Sequence, residues 1–141
     1  MWTCSLASVD KAEAFRISPS DTNYFAILFD PLKTDTANIF VIEIFNVGGA
    51  TPPNSHARAQ EFFYVLHGEG VALSAGQEVP LRKGDALLLN VGSEHVVRNT
   101  GATRLYTLTV MTPDEDFARL IRSGERVSLD AEDLRVLKGD A

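Results

Sequence analysis

The sequence predicts an all-β barrel or sandwich finished by short helices. Three observations carry this. Runs of β-branched and aromatic residues alternate with period two, most clearly in Asn38 to Val47. Glycine turns cut these runs every handful of residues between Gly48 and Gly101. After Thr112 the pattern changes to helix-start residues followed by apolar side chains at helical spacing.

The chain has 141 residues, the length of one domain, and 45% of them are hydrophobic, enough to bury a core. Its net charge of −6, with no basic block, argues against nucleic acid or an anionic membrane surface as a partner. Cys4 is the single cysteine, so no intrachain disulfide can form, which fits a cytoplasmic setting. No stretch approaches the ~20 apolar residues of a membrane span. Met1 to Val9 has neither the basic start nor the apolar run of a signal peptide.

Residues 1–22 read as an N-terminal arm or edge strand, 23–112 as the barrel and 113–141 as a helical tail packed on the barrel's outside. Tyr24 to Phe29 is aromatic and β-branched, and Asp30-Pro31 stops it. In Asn38 to Val47, Ile39, Val41, Glu43 and Phe45 share one face. Carboxylates usually stay in water, so Glu43 is expected on an outer, solvated face rather than in a pocket. Glu61 to His67 follows a turn at 57–60; Phe62 and Tyr64 lie opposite Glu61 and should fill the space between sheets or a dimer contact. Short strands then follow at Val71 to Ala75, Glu78 to Leu81, Ala86 to Val91, Glu94 to Asn99 and Thr103 to Met111. Thr112-Pro113-Asp114-Glu115 reads as a helix start with a hydroxyl cap and proline at the first position, and Gly124 as its end. Ser128 to Leu137 reads as a second helix. Apolar residues on both faces of 38–47 and 61–67 predict a homodimer, unless the tail covers the second face.

The chemistry concentrates in two stretches. Asn54 and His56, two apart, point the same way on a strand; Glu61, after the turn, can face the same interior. His95 shares a face with Val97 and Asn99. If these faces meet, two imidazoles and a carboxylate form a set suited to Zn, Fe, Mn or Ni, with positions left open for water or substrate. His67, at a strand end beside Gly68, is expected at the rim or surface.

Gly48, Asn54, His56, Glu61 and Gly68, followed by Gly84, Asn90, Gly92, His95 and Asn99, resemble the two motifs of the cupin family across residues 38–111. Asparagine stands where the first motif usually has its first histidine, and where the second has proline. The resemblance implies a double-stranded β-helix, a jelly-roll barrel, with one divalent transition metal held inside by His56, Glu61 and His95. It puts Asn54 at the fourth ligand position. An amide oxygen is a weaker, uncharged ligand than imidazole, so Asn54 bears on which metal binds and how tightly. Glu61 could also act as a catalytic base if it leaves the metal during turnover. The expected function is a metal-dependent enzyme on a small oxygen-rich metabolite, of dioxygenase, isomerase, decarboxylase or cyclase type. The alternative is a non-catalytic cupin that binds a sugar or other metabolite.

Overall fold

The structure is a computed structural model and describes residues 3–139. Among these residues, ten strands make two antiparallel sheets. The strands are β1 (Glu13–Arg16), β2 (Asn23–Phe29), β3 (Ile39–Phe45), β4 (Gln60–His67), β5 (Glu69–Ser74), β6 (Gln77–Arg82), β7 (Ala86–Leu89), β8 (His95–Asn99), β9 (Leu105–Thr112) and β10 (Glu125–Val127). The larger sheet runs β10-β1-β2-β3-β9-β4-β7, and the smaller one β6-β5-β8. This is the jelly-roll arrangement, in which neighbours in space are distant in sequence.

Directly opposed residues in antiparallel strands share a face. Phe25, Glu43, Thr107 and Val65 therefore form one inner row across β2, β3, β9 and β4, and Ile39, Met111, Glu61 and Leu89 form another across β3, β9, β4 and β7. Between the sheets the inner faces bury Phe45, Phe63, Val65, Ala72, Leu81, Leu89, Val97 and Leu105. Phe62 and Tyr64 do not fill that space. Strict alternation along β4 turns them outward, where they are exposed beside Leu88 of β7.

The two helices serve opposite faces. Helix α2 (Ala131–Lys138) lies on the outer face, where Val136 and Leu137 pack against a cluster built from Tyr24, Ala26, Ile42, Ile44 and Tyr106. Its buried Asp133 accepts hydrogen bonds from the hydroxyls of Tyr24 (2.8 Å) and Tyr106 (2.7 Å). Helix α1 (Phe117–Arg122) does not pack outside. It covers the inner face of β1, β2 and β3 where the small sheet does not reach, with Ala118 and Ile121 against Phe15, Phe25, Ile27 and Val41. Arg122 secures it by pairing with buried Asp30 through Nε (2.9 Å) and Nη2 (3.1 Å).

Helix α1 also begins later than its sequence suggests. Thr112 still pairs with Gln60 as the end of β9. Glu115 and Asp116 take left-handed backbone angles, φ 55° and 63°, so the helix can only start beyond them. Helix α2 starts at Ala131 because Asp130 and Asp133 form a reciprocal cap there.

Candidate functional site

His56, Glu61 and His95 come together from three places: the loop after Asn54, the start of β4 and the start of β8. One ligand atom from each lies within 4.8 Å of the other two. Glu61 Oε1 is 3.0 Å from His95 Nε2 and 3.3 Å from His56 Nε2. With metal–ligand bonds of about 2.1 Å, adjacent ligand atoms stand about 3.0 Å apart in an octahedron and about 3.4 Å in a tetrahedron. The two separations from Glu61, 3.0 and 3.3 Å, fall in this range.

The protons point the same way. His95 Nδ1 lies 3.0 Å from the Ser93 carbonyl, which can only accept, so Nδ1 carries a hydrogen. In neutral His95 the Nε2 lone pair then faces the Glu61 carboxylate, a contact that needs a proton or a cation between the two. His56 Nε2 is buried and, among the described residues, has no hydrogen-bond partner; its 3.3 Å approach to Glu61 is misaligned. A buried nitrogen without a partner, aimed at a carboxylate and a second imidazole, is what a cation would satisfy.

The electrostatics reflect this crowding. Burial pushes the Glu61 carboxyl up, but the close imidazoles of His56 and His95, the latter hydrogen-bonded to it, outweigh burial and hold it below the usual carboxylate range. Burial pushes His95 down, and its bonds to Glu61 and the Ser93 carbonyl raise it above the ordinary histidine value.

Glu115 supports the loop that carries His56. Its carboxylate accepts the backbone N–H groups of Ala57 (3.1 Å), Arg58 (2.5 Å) and Ala59 (3.1 Å), and stands 3.9 Å from His56 Nδ1. Its position in the left-handed region turns its side chain toward that loop instead of along α1. Asn54 bridges to His95 through backbone and lines the same cavity. Its Nδ2 donates to the Pro52 carbonyl at 2.9 Å, so Oδ1 is the only side-chain atom left to serve as a ligand.

The cavity over these groups encloses about 360 Å³. Its walls include Phe25, Phe63, Met111 and Phe117, with the Phe117 ring 6.3 Å from that of His56. Glu43 corrects the sequence expectation. It is 2% exposed and lines the cavity, because β3 turns its Ile39–Val41–Glu43–Phe45 face inward. Burial and the nearby negative charge of Glu61 push its carboxyl up to about 8. His67 is half-buried and stands with its ring edge-on to Tyr106, 5.9 Å away on the outer face. A register shift between Val65 and His67 carries it off Glu61's side of the strand, which parity alone would have given it.

The cupin domain family matches residues 41–111, half of the chain and all three converging side chains. The chain belongs to the cupin family. This cupin is 36% identical over 64 residues to an oxalate-binding protein of Thermotoga maritima; the match covers 45% of this chain and 53% of that protein, about half of each. It superposes on the crystal structure of a predicted oxalate decarboxylase of the same organism with a TM-score of 0.68 and 26% identity, covering 76% of this chain and 97% of the other. KdgF from Halomonas sp. shares the cupin fold at a TM-score of 0.68 and 20% identity, over 82% of this chain and 99% of its own. The motif spacing pointed to the three convergent residues of this cupin. It held no signal for Glu115, which lies outside both motifs, and the solvation rule misplaced Glu43.

Proposed function

We propose that this protein is a metal-dependent cupin acting on a small oxygen-rich metabolite, with one divalent transition metal, Zn, Fe, Mn or Ni, held by His56, Glu61 and His95. Asn54 Oδ1 is the proposed fourth ligand. The observation that carries this reading is the orphaned, buried His56 Nε2 converging with His95 Nε2 on Glu61 Oε1. A cation bound there supplies Lewis acidity at an open coordination position. The chain supplies the rest. Phe25, Phe63, Met111 and Phe117 keep water away from one side of the cavity, which strengthens electrostatic contacts inside it. Glu61 is the proposed catalytic base, taking a proton from a bound substrate if it leaves the metal during turnover.

Elemental analysis of the purified protein tests the metal. We expect close to one metal ion per chain in the wild type, and loss of most of it in His56→Ala and His95→Ala. Wild-type protein that stays metal-free after exposure to each of the four metals would reject the reading.

The relative named as an oxalate-binding protein favours a second reading, a cupin that binds a small molecule without turning it over. Incubation of metal-loaded protein with a bound small acid, followed by product analysis, separates the two. Chemical change of the acid supports the enzyme, and recovery of unchanged acid supports the binding protein.

A further inference from the structure

The wall of the cavity formed by β2, β3 and β9 carries a second polar group, which the metal reading leaves unused. Asn23, 2% exposed, lines the cavity, and its Nδ2 donates to Glu43 Oε2 at 2.9 Å. Asn23 Oδ1 is buried and has no partner among the described residues. A buried acceptor of this kind is costly unless something donates to it.

Hydrogen counting fixes which way the amide faces. Thr109 Oγ1 lies 3.2 Å from Glu43 Oε1, the two threonine hydroxyls lie 2.9 Å apart, and Thr107 Oγ1 lies 3.3 Å from the Glu43 carbonyl. Three contacts need three hydrogens, and two hydroxyls supply two. A carboxyl proton on Oε1 supplies the third, and every contact in the ring is then filled. Oε2 is left as an acceptor, so Asn23 must present its Nδ2 to Glu43 and its Oδ1 elsewhere.

Charge around the cavity restricts what can occupy it. Among the described residues, no lysine or arginine lines it, while Asp21, Glu115 and Asp116 do. An anionic group is favoured only where a bound cation offsets Glu61 and Glu115, at the imidazole end. The carbon frame of a ligand would lie against the apolar walls, and a second carboxylate would meet the Asn23 acceptor with no lysine or arginine to offset it.

We propose that Asn23, held by Glu43, reads the ligand of this cavity: its Oδ1 accepts a hydrogen bond from a hydroxyl of a small hydroxylated monocarboxylate whose acid end lies toward His56, Glu61 and His95. The placement of the acid end rests on the metal-site reading; the hydroxyl contact does not. A dicarboxylate of the same length, whose second carboxylate would face Asn23 Oδ1, is a poor occupant.

Calorimetric titration tests this with three chain lengths: 4-hydroxybutanoate, 5-hydroxypentanoate and 6-hydroxyhexanoate. Each is compared with its unhydroxylated acid and its dicarboxylate, on zinc-loaded and on metal-free protein. We expect at least one hydroxy acid to bind the wild type tenfold or more tightly than both counterparts. Asn23→Leu should reduce that preference to twofold or less with its zinc content unchanged. Glu43→Gln, which keeps both an acceptor for Asn23 and a donor for Thr109, should retain the preference. If Asn23→Leu does not fold, Asn23→Ser is read in the same way. Absence of any hydroxyl preference in the wild type, or its survival in the Asn23 variants, overturns the proposal. Zinc bound at full stoichiometry without the preference overturns this inference alone. The preference shown by metal-free protein that takes up no zinc overturns the metal reading alone.

Discussion

Two carboxylates show how position decides the role of a residue. Glu115 is far from both motifs in sequence, yet its three backbone hydrogen bonds hold the segment from Ala57 to Ala59 that follows His56. Glu115→Ala should cost about 2 kcal/mol of stability, read by denaturant unfolding, because three N–H groups lose a charged acceptor. It should also weaken metal binding by about tenfold, read by chelator competition, because the His56 ring loses its support. Glu43 is the opposite case, a carboxyl that the fold keeps protonated. Its pKa rises from 4.5 to about 8 on folding. The native state thus keeps a proton that the unfolded chain releases, and the stabilisation is fully present below about pH 4.5 and lost as the pH climbs through 8. Glu43→Gln does not titrate, so its stability relative to wild type should rise between about pH 5 and 8 and then level off. The gain is about 5 kcal/mol at most, at ~1.4 kcal/mol per pH unit. Thermal melts of both proteins across this range check it, and a constant difference would show that Glu43 is ionised when folded.

At the scale of elements, α1 completes an enclosure that the strands leave open. The small sheet has three strands against seven, so the inner face of β1, β2 and β3 needs another cover. Helix α1 supplies it with Ala118 and Ile121, both fully buried, and brings Phe117 to the cavity wall. Ile121→Ala should cost about 2–4 kcal/mol, as other large-to-small changes in packed cores do. The same variant should loosen the cavity, so ligand affinity measured by calorimetry should fall along with stability. Gly124 belongs to this element as well. It reads as a helix stop, but its tighter constraint is the approach of β1: a Cβ there would stand 2.1 Å from the Arg16 carbonyl oxygen. Gly124→Ala therefore cannot be accommodated without moving the backbone of β1.

For the whole molecule, the open question of the second sheet face has two answers. Helix α2 covers the outer face of β2, β3 and β9, through Val136, Leu137 and the buried Asp133 that ties Tyr24 to Tyr106. Among the described residues nothing comparable covers the outer face of β4 and β7, and Phe62, Tyr64 and Leu88 stand exposed there side by side. We propose this patch as the homodimer surface. Sedimentation should show a dimer at micromolar concentration and a monomer for Phe62→Glu with Leu88→Glu; a wild-type monomer would remove the proposal.

Much was legible without coordinates because it depends on local chemistry. Period-two runs and glycine turns announced the strands, and the order Gly48, His56, Glu61, Gly68, Gly84, Gly92, His95 announced the barrel and its three convergent side chains. The strands need only alternation and turn geometry, while the three convergent side chains were legible through the resemblance of that order to the cupin motifs. What tertiary structure alone decided is which faces were covered and by what. Glu43 became interior because the Ile39–Val41–Glu43–Phe45 face of β3 turned toward the cavity, His67 left the site through a register shift, and Glu115 reached the loop carrying His56 from 59 residues away. No local pattern encodes such contacts, because burial and long-range hydrogen bonds depend on which segments the closed barrel brings side by side.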